Sequence, residues 1–264
     1  MEYYILRTQP VLFIGHGSPM NAIEKSNFTE ALNAWGMRLI KNPPKVLLCV
    51  SAHWFVDRFI VTNNEDSNIM YDFFGFGDKL NKFKYMYKGS KKWSKRIQEI
   101  YDQGEISTDD ARGIDHGVWS VLAHLFPKAQ IPVVQLSMNK KLSLEEHVNF
   151  YSNLHILRDE GALILGSGNI VHSFAGIREE IEANPYDWAL EFDEKVKASI
   201  LNNSISDLIH YENFGHCAKL AVPTVEHYLP LLFAMSLKRE SDKIKFVFEG
   251  FQYSTLSMRC FELS

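Results

Sequence analysis

Two kinds of apolar pattern alternate along the chain. Short runs such as VLFI at 11–14, KVLLCVSAH at 45–53, IPVVQLS at 131–137 and ALIL at 162–165 are bounded by turn-forming residues. Such runs predict strands buried on both faces, as in a parallel sheet covered by helices. Between them apolar residues recur with helical spacing, as at Phe28, Leu32, Trp35 and Leu39, where Ser26 or Asn27 can cap the helix and Asn42-Pro43-Pro44 ends it. The same reasoning predicts helices over 91–102, 117–125, 144–158, 188–201 and 223–235, and strands over 58–62, 244–248 and 255–259. Strand and helix alternate for most of the length. This predicts an α/β fold, a single domain over 1–264 with a mostly parallel central sheet flanked by helices. In such sheets ligands bind at the C-terminal ends of the strands, so the active site is expected there.

One segment breaks the alternation. Residues 63–88 are dotted with glycine, and Tyr71, Phe73, Phe74, Phe76, Phe83, Tyr85 and Tyr87 need apolar area to pack on. The segment is expected to pack over the site rather than to form a domain. With 46% hydrophobic and 23% charged residues in 264, the chain has an ordinary globular composition. A net charge of −4 without a polybasic block argues against nucleic acid or an anionic membrane surface as partner. The basic stretch 79–95 is interleaved with aromatics and is expected to be loop and solvated helix surface. No apolar run is long enough to span a bilayer, and MEYYILRTQP lacks the pattern of a signal peptide, so a cytoplasmic location is expected.

Cys49, Cys217 and Cys260 are widely spaced and fit neither a disulfide framework nor a CxxC metal site; Cys49 is expected in the core. The ten histidines are more informative, because neutral imidazole is both a metal ligand and the usual acid–base group near pH 7. Three strand patterns lead into one: Ile14-Gly15-His16, Val50-Ser51-Ala52-His53, and Leu165-Gly166-Ser167-Gly168-Asn169-Ile170-Val171-His172. If these strands are parallel neighbours, the three rings converge on one crevice. A fourth lies in PTVEHYLP, where Pro223 suits a first helical turn; Glu226 and His227 would then point about 100° apart and are not equivalent ligands. In GIDHG, Asp115 can cap the following helix and leave His116 facing a cleft.

His16, His53 and His227 can supply three ligands to a divalent ion, with His172 as a fourth ligand or as an unligated acid–base group. Imidazole-rich sites suit Zn, Cu, Fe or Ni. His124 is expected to be structural, and His147, His155 and His210 to be solvated helix positions. His216 is either a loop residue near the site or without a role. The glycine loops match neither a dinucleotide nor a Walker fingerprint, and Ser18 and Ser167 lack a GxSxG elbow.

Six motifs in order resemble the LigB-type class III extradiol ring-cleavage dioxygenases, and within them the 4,5-DOPA extradiol dioxygenase group. They are GHGSP at 15–19, VSAHW at 50–54, YDFFGF at 71–76, GIDHGVW at 113–119, GSGNIVH at 166–172 and PTVEHYLPLL at 223–232. The resemblance implies metal ligands at His16, His53 and His227 with His172 beside them, and a role for His116 near the substrate. It implies one divalent metal per chain, Zn(II) or Fe(II), a catechol such as DOPA and O2 as partners, and His172 as the proton acceptor. The better-known catechol-cleaving relatives use a carboxylate as third ligand; this chain offers His227 with Glu226 as its neighbour. A zinc hydrolase, or a non-catalytic metal-binding protein on the same scaffold, is the alternative.

Overall fold

The computed structural model describes residues 8–66, 68–102 and 104–264. Most of the N-terminal stretch considered as a leader lies outside the described residues. Among the described residues the strands are β1 Val11–Gly15, β2 Val46–Val56, β3 Phe59–Thr62, β4 Ile106–Asp109, β5 Val133–Asn139, β6 Ala162–Gly168, β7 Ile244–Phe248, β8 Phe251–Gln252, β9 Leu256–Ser257 and β10 Cys260–Leu263. The helices are α1 Asn27–Leu39, α2 Asp78–Asn81, α3 Lys91–Gln98, α4 His116–Leu125, α5 Leu144–Ser152, α6 Leu157–Glu160, α7 Asp187–Leu201, α8 Ile205–Ile209, α9 His216–Ala221 and α10 Leu229–Ser236.

Eight strands form one sheet in the order β4-β3-β5-β2-β6-β1-β10-β7. The four central strands β5, β2, β6 and β1 are mutually parallel, as expected. Antiparallel pairing enters only towards the edges, at β3 with β5 and at β10 with β1 and β7. Side chains alternate between two cores: Val11, Phe13, Val46, Leu48 and Ile164 point to one, Leu12, Ile14, Leu47, Cys49 and Leu165 to the other. Both faces are covered, which is why the central strands are apolar along most of their length. One core is closed by α10 and α7, the other by α1 and α4. Ser26 is the α1 cap, in a reciprocal capping box with Thr29.

Several expected elements are corrected. The helix at 144–158 breaks into α5, a 3₁₀ turn and α6. The strand at 255–259 is the short β9, and the chain then supplies β10; like β4, β8, α2, α8 and α9, it has no counterpart among the expected elements. The pattern of β10 is masked by Glu262, a charged residue that is nonetheless 2% exposed because Trp35 Nε1 and the Arg38 guanidinium both donate to it. His147, expected on a solvated face, is fully buried: Ser143 O lies 2.8 Å from Nδ1 and Nε2 accepts from the Asn139 amide at 3.2 Å.

Candidate active site

β1 and β2 flank β6, so the parallel order brings His16, His53 and the segment after β6 to one edge of the sheet. β2 does not end at His53, as its sequence pattern suggests, but continues to Val56. Opposite β5 it advances from Val50 to Phe55 while β5 advances only from Leu136 to Met138. This bulge re-aims the stretch that carries His53. The end of β6 is stapled to that of β1: the His16 amide donates to Gly168 O, and Asn169 accepts from the Gly17 amide and donates to Ser257 O. Gly17 itself has φ +60, a turn that disfavours any side chain.

His227 arrives from a different direction than expected. Residues 223–228 are turns, and the helix starts at Leu229. Pro230 is the reason, since a proline lacks the amide donor of a helix interior and belongs in the first turn, so a helix begun at Pro223 would have buried it mid-run. The turn lies directly on β6, where a Cβ on Gly168 would come within 2.2 Å of His227 O. Glycine at that position is thus what lets the histidine approach.

The donor atoms of His16, His53 and His227 lie within 4.8 Å of one another. His16 and His53 face each other through their Nε2 atoms at 3.1 Å, and His227 Nε2 is buried without a partner. The 3.1 Å edge is close to the ~3.3 Å between two nitrogens of a tetrahedral ion bound at ~2.0–2.1 Å. Each ring is backed by an oxygen on its Nδ1 side: Ser167 Oγ at 3.1 Å from His16, Asp72 Oδ2 at 3.7 Å from His53, and Glu226 Oε1 at 3.4 Å from His227. Ser167 spends its own proton on Gly117 O, so it accepts from His16 Nδ1–H, and His16 Nε2 carries the lone pair. This is the support that metal-bound histidines have. The residues therefore fit a divalent cation. Burial, then the neighbouring imidazoles, hold His16 and His227 well below the ordinary histidine range and bring His53 down to about 4, so the donors are neutral at pH 7.

His172 stands outside this donor group. Its ring is stacked on that of His227, 3.5 Å between centroids and 5° from parallel. An imidazole donates in its own plane, so two rings stacked this way cannot meet on one ion. Burial and then nearby histidines lower its pKa to about 4, which keeps it neutral and able to accept a proton.

Asp72 was not anticipated as a site residue. It comes from the aromatic excursion, and its Oδ1 accepts from the His116 amide at 3.0 Å and lies 3.1 Å from His116 Nδ1. Burial pushes this carboxyl up, but its contacts with His116 and His53 outweigh that and hold it below the usual range. Asp72, His53 and His116 form a second compact group of donor atoms. A lone acidic residue inside an aromatic run was the available signal. The cap of α4 is also reassigned, because Asp115 makes no side-chain bond to the helix and Asp72 satisfies its first amide instead.

These side chains form the floor of a cleft of about 530 Å³, with all five of His16, His53, His116, His172 and His227 lining it. Phe73, Phe74, Phe76, Phe174 and Leu256 line its walls. The excursion packs over the site only in part: Tyr85 and Tyr87 are buried and Phe83 stacks on Trp119, whereas Phe74 remains 95% exposed at the mouth. His124 bonds to Asn21 O, and His155, His210 and His216 are exposed and do not line the cleft. The three cysteines are free and buried.

The model of the catalytic LigB subunit of aromatic ring-opening dioxygenases matches residues 10–259. This chain belongs to the LigB family. Its enzyme class is that of the ring-opening dioxygenases. A 4,5-DOPA dioxygenase extradiol of Escherichia coli K12 is 36% identical over 253 residues, covering 94% of this chain and 92% of that one. A protein of the same name from Beta vulgaris is 34% identical over 249 residues, covering 93% and 92%. The crystal structure of an uncharacterized protein from Escherichia coli K12 superposes with a TM-score of 0.83 at 32% identity, covering 97% of this chain and all of that one.

Proposed function

We propose that this LigB-family chain is a metal-dependent extradiol dioxygenase that opens the ring of a catechol such as DOPA beside the diol. The observation that carries the reading is the neutral trio His16, His53 and His227, backed by Ser167, Asp72 and Glu226, with His172 stacked at its side. The trio would hold one divalent ion, Zn(II) or Fe(II). When bound, the ion acts as a Lewis acid towards the diol oxygens and, as Fe(II), supports oxygen chemistry.

The remaining steps belong to the chain. The aromatic walls accept the ring and exclude water from it. His172, neutral at pH 7, takes a phenolic proton and returns it as the ring opens. His116, held at its amide by Asp72, faces the cleft as a hydrogen-bond donor to the diol or to dioxygen. One ring carbon–carbon bond breaks and both atoms of O2 enter the product, an aldehyde at one end and a carboxylate at the other. No external reductant is consumed.

The test is to load the protein anaerobically with Fe(II), add DOPA and admit air. Oxygen uptake matched by a yellow semialdehyde is the expected result; no ring opening across a panel of catechols sinks the reading. The hydrolase alternative predicts turnover under strict anaerobiosis. His172→Ala should retain the bound metal and lose turnover, whereas loss of the metal as well would make His172 a ligand.

A further inference from the structure

The rim of the cleft carries two charges that the ring chemistry leaves unused. Among the described residues lining it, Arg178 is the only lysine or arginine, and Glu179 is the only carboxylate besides Asp72. Both are exposed, and neither side chain makes an ion pair or hydrogen bond with any described residue. Adjacent residues in sequence, Arg178 and Glu179 do not neutralise each other. They leave one positive and one negative group side by side at the mouth of an otherwise apolar cleft.

Arg178 is also held in place. Its guanidinium carbon lies 4.9 Å from the centre of the Tyr186 ring, and its amide donates to Tyr253 O at 3.2 Å. Tyr186 is itself fixed by its hydroxyl, which donates to Gly176 O at 3.0 Å. A guanidinium resting on a ring face keeps its edge donors free, and that edge matches a carboxylate bidentately. The cleft volume corresponds to a sphere roughly 10 Å across. That is room for one aromatic amino acid, the ring at the histidine floor and the head group at the rim.

We propose that Arg178 and Glu179 form a head-group subsite, Arg178 pairing with the α-carboxylate and Glu179 with the α-ammonium of a zwitterionic catechol. This rests on the catechol-cleaving reading of the floor. It selects amino acids over catechols that lack either charge, such as dopamine, which has no carboxylate, and 3,4-dihydroxyphenylpropionate, which has no ammonium.

The test compares these three substrates by oxygen uptake on the metal-loaded protein. In Arg178→Met the ratio of KM for DOPA to KM for dopamine should rise about 5- to 10-fold, an exposed charged pair being discounted for solvent screening. Arg178→Lys should recover part of it. In Glu179→Gln the ratio for DOPA against dihydroxyphenylpropionate should rise about 2- to 5-fold. Ratios unchanged in both variants overturn the subsite. Calorimetric binding of DOPA under argon separates this failure from that of the dioxygenase reading. If the wild type opens no catechol yet binds DOPA at least 5-fold tighter than Arg178→Met, the subsite stands and the reaction falls; equal binding rejects the subsite.

Discussion

Asp72→Asn isolates what one carboxylate contributes to the site. Asp72 makes three contacts: the His116 amide at 3.0 Å, His116 Nδ1 at 3.1 Å and His53 Nδ1 at 3.7 Å. Asparagine is isosteric and keeps a carbonyl oxygen for the amide, so the cap of α4 survives. The charge does not. His53 and His116 lose the anion that favours a proton on Nδ1, and an amide NH2 can be turned towards them instead. Removing the outer partner of a metal-binding histidine costs about 10- to 100-fold in affinity, or about 1.4–2.7 kcal/mol. Asp72→Ala removes the cap as well and should destabilise the metal-free protein by about a further 1 kcal/mol. Titration of Zn(II) against a competing chelator gives the affinity, and urea unfolding of the metal-free forms gives the stability. Affinity within twofold of wild type in both variants refutes the reasoning, as does an affinity loss no larger than the loss of stability.

Three further outcomes are expected. Gly168→Ala places a Cβ 2.2 Å from His227 O and should weaken metal binding by displacing the turn, detectable in the same chelator titration. Metal-free protein should lose stability as pH falls from about 6.5 to 4, because His53 and His172 titrate near 4 when folded but near 6.5 when unfolded, and the unfolded chain binds protons first. The slope is up to about 1.4 kcal/mol per pH unit for each group, read from urea midpoints at pH 7.5 and 5. Arg259, 2% exposed, donates to Asp193, Glu194 and Glu249; Arg259→Met leaves Asp193 buried without its cation and should cost about 3–5 kcal/mol in thermal unfolding, partly recovered by adding Asp193→Asn.

The central strands and the histidines at their ends were legible because both signals are local. A strand covered on both faces is apolar at most positions, and Gly-His-Gly at the end of β1 or Ser-Ala-His within β2 marks where the sheet meets the cleft. What was hidden depends on residues far apart in sequence. Asp72 reaches His116 across 44 positions, and its place in an aromatic run marks it as unusual without saying which partner it meets. The start of α10 turned on which of two prolines, Pro223 or Pro230, occupies the first turn; Pro230 takes it because a helix begun at Pro223 would hold Pro230 in its interior, and the turn before it packs on Gly168. β10 was missed because its one charged residue is neutralised by α1, an element more than two hundred residues earlier.

The charges of the site are divided between the sheet and the loops. His16 directly follows β1 and His53 lies within β2, both strands of the central sheet, and neither brings a charge of its own at pH 7. The carboxylates that steady the donor set, Asp72 and Glu226, sit instead on irregular segments. Asp72 immediately precedes Phe73 and Phe74, which line the cleft, and Phe73 packs edge-on against His116 at 5.9 Å. The residues that wall the cleft and the anion that faces His53 and His116 thus belong to one short stretch of chain, so a substitution at Phe73 or Phe74 that displaces the stretch should also displace Asp72 from the two imidazoles.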